Sequence, residues 1–215
     1  MSGQKPLLSL NICESPHDMD PLNAEHSRPL EGGASFPLRH RVYRLLWGVT
    51  WKLLAAWTPP PFHRWRAFLL RCFGARIHPT ARVYGTASIW YPPNLTMHAH
   101  AVLGPGAKCY CMGRISIGEK AVISQGAHLC AGTHDISDPH FQLKAYPIDI
   151  GPMAWVAAEA FIGPGVTVGD AAVIGARAVL FSDAKPRGVY VGNPAAWLKT
   201  RTFRTPQGDP IDTTQ

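Results

Sequence analysis

An all-β parallel helix, a prism of stacked coils whose flat sides are short strands, is the fold class predicted by this 215-residue sequence. Three observations carry it. From Ile150 an aliphatic residue returns at every sixth position: Ile150, Val156, Ile162, Val168, Ile174 and Leu180. A Gly or Ala follows each of the first five. Gly and Pro number 20 each while only 16% of residues are charged, as many tight corners require. An α-helix repeats near 3.6 residues and an exposed strand near 2, so a strict six fits neither. It fits one short strand plus one corner, with three such units closing a coil of about 18 residues. The aliphatic residue points inward and stacks on its equivalent one coil away. The residue four later turns inward near the corner and is small, as at Ala101, Ala121, Ala154 and Ala172. Burying each Val, Leu or Ile contributes roughly 1.5–3 kcal/mol. Each coil leans only on its neighbours, so the ends need caps.

The elements follow in order along one principal domain with tails. Residues 1–38 read as a flexible tail, with scattered Pro, Gly, Ser and His and no apolar period. Residues 39–76 form a helical segment. In it Val42, Leu45, Leu46, Val49, Leu53 and Leu54 fall at helical spacing, and the TPPP at 58–61 ends the first helix. A second short helix follows in FHRWRAFLLRCFG, closed by Gly74. Lys52 and the short apolar run argue against a membrane span, which needs about 20 apolar residues. Two readings of the first helix stand. It caps the open end of the prism or packs a subunit, or residues 39–57, with three tryptophans, make peripheral contact with a membrane surface.

The β-helix spans 77–200. Ile77, Val83, Ile89 and Leu95 are six apart; the register then slips by two to Met97, Leu103, Cys109 and Ile115, and by two again to Ile117, Ile123 and Leu129. MHAHAVLGPGAKCY at 97–110 aligns with IGEKAVISQGAHLC at 117–130, a shift of 20. The period fails over 133–149, which reads as one loop interrupting the prism. Residues 201–215 read as a C-terminal tail.

The net charge of +7 is unevenly placed: no Asp or Glu occurs between Glu31 and Glu119, a stretch with eleven Lys and Arg. A basic half implies an anionic neighbour: ligand phosphates, an acidic saccharide or a membrane surface. No nucleic-acid reading motif is present. Five cysteines without a CxxC argue against a disulfide framework, and the N-terminus lacks a signal-peptide pattern; the expectation is a cytoplasmic protein. Cys109 and Cys130 fall on or near inward positions, so with Cys111 they read as small buried hydrophobes rather than metal ligands.

His134 lies in AGTHD, where the coil gives way to the loop. A neutral imidazole there suits a general base for a reaction that removes a hydroxyl proton.

The beat, the loop and the ending resemble the hexapeptide-repeat acyltransferases, in the branch containing the colanic-acid-biosynthesis acetyltransferases. These are related to the nodulation, maltose and galactoside O-acetyltransferases. The resemblance is carried by GRISIGEKAVISQGAHLCAGTHDISDP at 113–139, IGPGVTVGDAAVIGARAVLFSD at 162–183, VYVGNPAAWLK at 189–199 and FHRWRAFLLRCFGARI at 62–77. It implies a left-handed β-helix, a homotrimer with active sites between subunits, acetyl-CoA as donor without a required metal, and His134 as catalytic base. The acceptor it implies is a saccharide hydroxyl, free or lipid-linked, in exopolysaccharide biosynthesis. Asp135, Tyr110 and Gln125 are alternatives for orienting the imidazole or the acceptor, and Asp135, Tyr110 and Phe141 are candidates for the acceptor pocket. By carry-over Trp155, Ala158, Ala176, Ser182 and Lys199 are candidates for the coenzyme A groove. Two departures stand out. Ser182 occupies a position where the family often has Lys, and Ala196 one where it often has Arg. Two rivals share the fold: a metal hydratase of the γ-carbonic-anhydrase type, raised by His98, His100, His128 and His134, and a non-catalytic scaffold, raised by the two departures.

Overall fold

The computed structural model describes residues 21–203, so the tails expected over 1–20 and beyond 203 lie largely outside the described residues, as does Cys13. The six-residue beat becomes three parallel sheets that form the sides of a prism. On the first side Ile77, Met97, Ile117, Ile150 and Val168 stand in one register column. On the second, Val83, Leu103, Ile123, Val156, Ile174 and Tyr190 do so. On the third the column is Ile89, Cys109, Leu129, Ile162 and Leu180. All are buried, with the alanines of the beat between them. The 20-residue shift read from sequence is the Met97–Ile117 pairing itself.

All three interruptions of the beat fall on one edge, between the third side and the first. A 3-10 turn at Pro92–Asn94 occupies the first gap and residues 111–114 the second. At the third, the expected loop is a hairpin: Gly132–His134 pairs antiparallel with Leu143–Ala145, and the regular side resumes at Ile148. Each two-residue slip lets a second residue turn inward, so Leu95, Ile115 and Ile148 form an extra buried column.

The helices are α1 (Ala24–Ser27), α2 (Leu38–Leu54) and α3 (His63–Cys72). Gly74, with φ 77°, turns the chain from α3 into the prism. The two longer helices cover the open end, and the hydrogen bonds explain how. In every coil the residue after the beat donates its N–H to the beat carbonyl of the next coil, as Tyr84 to Leu103 and Gly104 to Ile123. The first coil has no predecessor, so the carbonyls of Ile77, Val83 and Ile89 lack such a donor. Side chains supply one on each side of the triangle: Arg71 Nη1 to Ile77 at 3.2 Å, Arg66 Nε to Val83 at 2.6 Å, and Trp47 Nε1 to Ile89 at 2.7 Å.

This cap requires Trp47 and Trp51, with His40, to be the buried face of α2. The apolar positions at helical spacing, Val42, Leu45, Leu46, Val49, Leu53 and Leu54, are exposed on its outward side. Indole N–H groups can end a β-helix and leucines cannot, so the aromatic stripe faces inward. Residues 21–37, expected as tail, depart from expectation. Ala24 and Phe36 are buried, and Gln142 of the hairpin accepts from Ala24 N at 2.7 Å and donates to Leu22 O at 3.2 Å.

Candidate active site

The edge that collects the interruptions also collects the chemistry. Trp90, Tyr91 and Tyr110 leave successive coils there, and Phe36, His40 and Tyr43 pack onto them. Gly132 opens the hairpin against them. A Cβ on it would come within 2.6 Å of Met112 Cε and 2.8 Å of Tyr110 Cε1, so only glycine lets the hairpin base approach this closely.

His134 closes the first strand of the hairpin, and residues 135–142 turn back beside it. Two Asp side chains shape the turn, Asp135 accepting from Ser137 N at 3.0 Å and Asp138 from His140 N at 2.9 Å. Phe141 takes φ 56°, a left-handed conformation costly for a bulky residue. It thereby turns both its ring and its carbonyl onto His134. The rings stack with centroids 4.1 Å apart at 12°, and His134 Nδ1 lies 2.9 Å from Phe141 O. A carbonyl only accepts, so in the neutral imidazole Nδ1 carries the proton and Nε2 the lone pair.

Of the expected orienting groups, none of the three holds the imidazole. The Asp135 carboxylate is 2.7 Å from Lys144 Nζ, and that ammonium, then Ser137 N–H, holds its pKa below the ordinary value. Gln125 is exposed on a corner, its carbonyl accepting from Glu159 N. Tyr110 shares a cavity with His134, its phenol pushed up by burial and by Cys130, with Arg44 opposing. The missed partner is a backbone carbonyl, which no side-chain motif announces.

That cavity has a volume of about 550 Å³. Its walls are residues 32–36, Arg41 and Arg44 of α2, Trp90 and Tyr110 of the edge, and His134 and Leu143 of the hairpin. The cofactor candidates lie elsewhere. Trp155 stands exposed on the second side, its Nε1 donating to Ser124 Oγ at 2.9 Å, beside a second, apolar depression of about 440 Å³ lined by Lys120, Val122, Met153, Arg201 and Phe203. Ala158 and Ala176 sit at the following corner, Ser182 beyond the third side, and Lys199 on the last strand of the second. None of these four lines either cavity. Within one chain His134 and the cofactor candidates are therefore on different parts of the prism. Among the described residues no three His, Cys, Asp or Glu side chains are grouped as metal ligands. Cys109 and Cys111 are buried, but Cys130 is half-buried, because Leu129 takes the inward position beside it.

No family model matches the sequence. A protein of Escherichia coli (strain K12) carrying the name colanic acid biosynthesis acetyltransferase WcaF is 42% identical over 156 residues, 73% of this chain and 86% of its own. The crystal structure of a maltose O-acetyltransferase from Clostridium difficile 630 superposes with a TM-score of 0.66 at 24% identity, covering 75% of this chain and 87% of that one. A hexapeptide-repeat acetyltransferase of Vibrio cholerae O1 biovar eltor, complexed with acetyl coenzyme A, gives 0.68 at 20% identity, covering 77% and 91%.

Proposed function

The chain belongs to the hexapeptide-repeat acyltransferases, as an acetyl-CoA-dependent acetyltransferase, and from that premise we propose that it acetylates a saccharide hydroxyl with His134 as the general base. The observation that carries this reading is the Phe141 carbonyl on Nδ1, which leaves Nε2 as the basic nitrogen of a residue lining the 550 Å³ cavity. Nε2 takes the acceptor hydroxyl proton as that oxygen bonds to the acetyl carbonyl carbon. When the carbon–sulfur bond breaks, the imidazolium returns the proton to the departing thiolate, so no net proton remains on the enzyme. Release of coenzyme A thiol with a panel of saccharides, in wild type and His134→Ala, tests it.

The same reading extends to assembly. His134 and Trp155 lie at separate cavities of one chain, which supports a homotrimer in which one copy supplies the base and its neighbour the thioester groove. A saccharide of an exported polysaccharide, free or lipid-linked, on the cytoplasmic side is the acceptor setting we favour, because a relative 42% identical to this chain carries colanic acid biosynthesis in its name.

Contact with an anionic membrane surface fits this setting. No helix among the described residues is long and apolar enough to cross a membrane. The outward face of α2, with Leu45 and Leu53 each 65% exposed, continues into Trp57, Trp65 and Phe68. The two helices are joined there by Trp65 Nε1 donating to Leu54 O at 2.7 Å. Lys52 and Arg64 are exposed on these helices, and the surrounding 32–118 holds no carboxylate. An apolar face with basic neighbours suits an anionic interface.

A further inference from the structure

We infer that the acceptor carries an oxyanion, a carboxylate or a phosphate, and that Arg41 and Arg44 hold it in the cavity of His134. The inference rests on the reading of that cavity as the acceptor pocket. Arg41 and Arg44 lie one helical turn apart on α2 and line the same cavity. No Asp or Glu lines it, and no carboxylate among the described residues pairs with either guanidinium. The Arg44 guanidinium sits 4.3 Å over the Trp90 ring and 5.4 Å from that of Phe36, and its Nε is buried without a hydrogen-bond partner.

Two cations therefore face one space with no counter-ion among the described residues. Burial depresses the Arg44 pKa, the Tyr110 phenol opposes that, and Arg41 depresses it further. His40, buried behind the cavity, is neutral at working pH and offers no negative charge. Like charges on one wall, with Arg44 half-buried, oppose each other, and an anion between them would reward keeping both. An oxyanion would do so, because a planar guanidinium binds carboxylate or phosphate through paired N–H donors. A neutral sugar would leave these donors and the mutual repulsion in place, which gives the site a means of rejecting it.

The test reads binding rather than turnover, so that it can fail separately from the transfer reading. The full chain, without acetyl-CoA, is titrated calorimetrically with methyl glucuronide and methyl galacturonide, with their neutral methyl glycosides, and with glucose 1-phosphate and galactose 1-phosphate. At least one anionic probe is expected to bind tenfold or more tightly than its neutral parent. A uronide preference identifies a carboxylate, and a sugar-phosphate preference a phosphate. Arg44→Gln should bring that ratio within about threefold. Because Arg44 also packs on Trp90, the exposed Arg41→Gln is the second variant, expected to lower the ratio severalfold. Equal affinity for charged and neutral probes, absence of binding included, overturns the inference, as does a ratio unchanged in both variants. A chain that prefers the anionic probes but acetylates no saccharide upholds the anion site and overturns the transfer reading.

Discussion

Phe141 holds His134 twice, through a ring stacked at 4.1 Å and through a carbonyl 2.9 Å from Nδ1. The stack can be removed by mutation while the carbonyl cannot. Aromatic pairs contribute about 0.5–1.5 kcal/mol beyond their burial. Phe141→Leu is therefore expected to lower kcat about three- to tenfold, with KM for acetyl-CoA unchanged and Phe141→Tyr restoring the rate. Steady-state kinetics on both variants check this; a loss confined to KM for the acceptor would make Phe141 a substrate contact instead.

Arg66 is fully buried, and no carboxylate among the described residues pairs with it. Besides Val83 O, it donates to Thr58 Oγ1 at 2.7 Å, Pro59 O at 3.0 Å and Pro60 O at 2.7 Å. Arg66→Met removes the donor shared by Val83 O and the turn at 58–60 and leaves a void under the cap. A cost of about 1–3 kcal/mol is expected, read as a lowered denaturation midpoint. Val122→Ala, a half-exposed residue on the second side, should cost far less.

His40 is 1% exposed, stacked on Phe36 at 4.5 Å, and its Nδ1 has no hydrogen-bond partner. Burial, then Arg44, lowers its pKa from 6.5 to about 4. Between those values the unfolded chain binds the proton and the folded one does not. Stability is thus intact at neutral pH, begins to fall below about 6.5, and has lost about 3 kcal/mol near pH 4. Denaturation midpoints measured across that window should fall less steeply for His40→Phe than for wild type.

The outward face of α2 is expected to carry the chain to anionic vesicles. Flotation with phosphatidylglycerol-rich liposomes should recover it, with pure phosphatidylcholine giving little. Leu45→Glu together with Leu53→Glu should leave the protein at the bottom of the gradient while thermal stability holds, because both side chains already face outward. If the wild type stays unbound and the double variant loses trimers instead, this face is a subunit contact.

Much of the prism was legible because the buried columns are made of single residues at fixed spacing. Ile77, Met97, Ile117 and Ile150 pair as the beat and its two slips require. The place of His134, where the coil gives way to the hairpin, was legible from the break in the beat. What surrounds it was less so. The pocket wall at 32–36 has no apolar period and is tied through Leu22, whose N–H donates to Ser35 O and whose carbonyl accepts from Gln142, more than a hundred residues away. The orienting group is a carbonyl, common to every residue. The helical leucines left two readings of α2 open because spacing identifies a stripe and not what it meets. Here the three unpartnered carbonyls of the first coil decided in favour of Trp47, Arg66 and Arg71.

The central claim is that His134 Nε2 removes the acceptor proton. Acceptor-dependent release of coenzyme A thiol by His134→Ala, at saturating acetyl-CoA, tests it most directly. General-base catalysis contributes about 10²–10⁴-fold, so the rate should fall at least a hundredfold while coenzyme A still binds. A variant retaining more than a tenth of the wild-type rate would contradict the account.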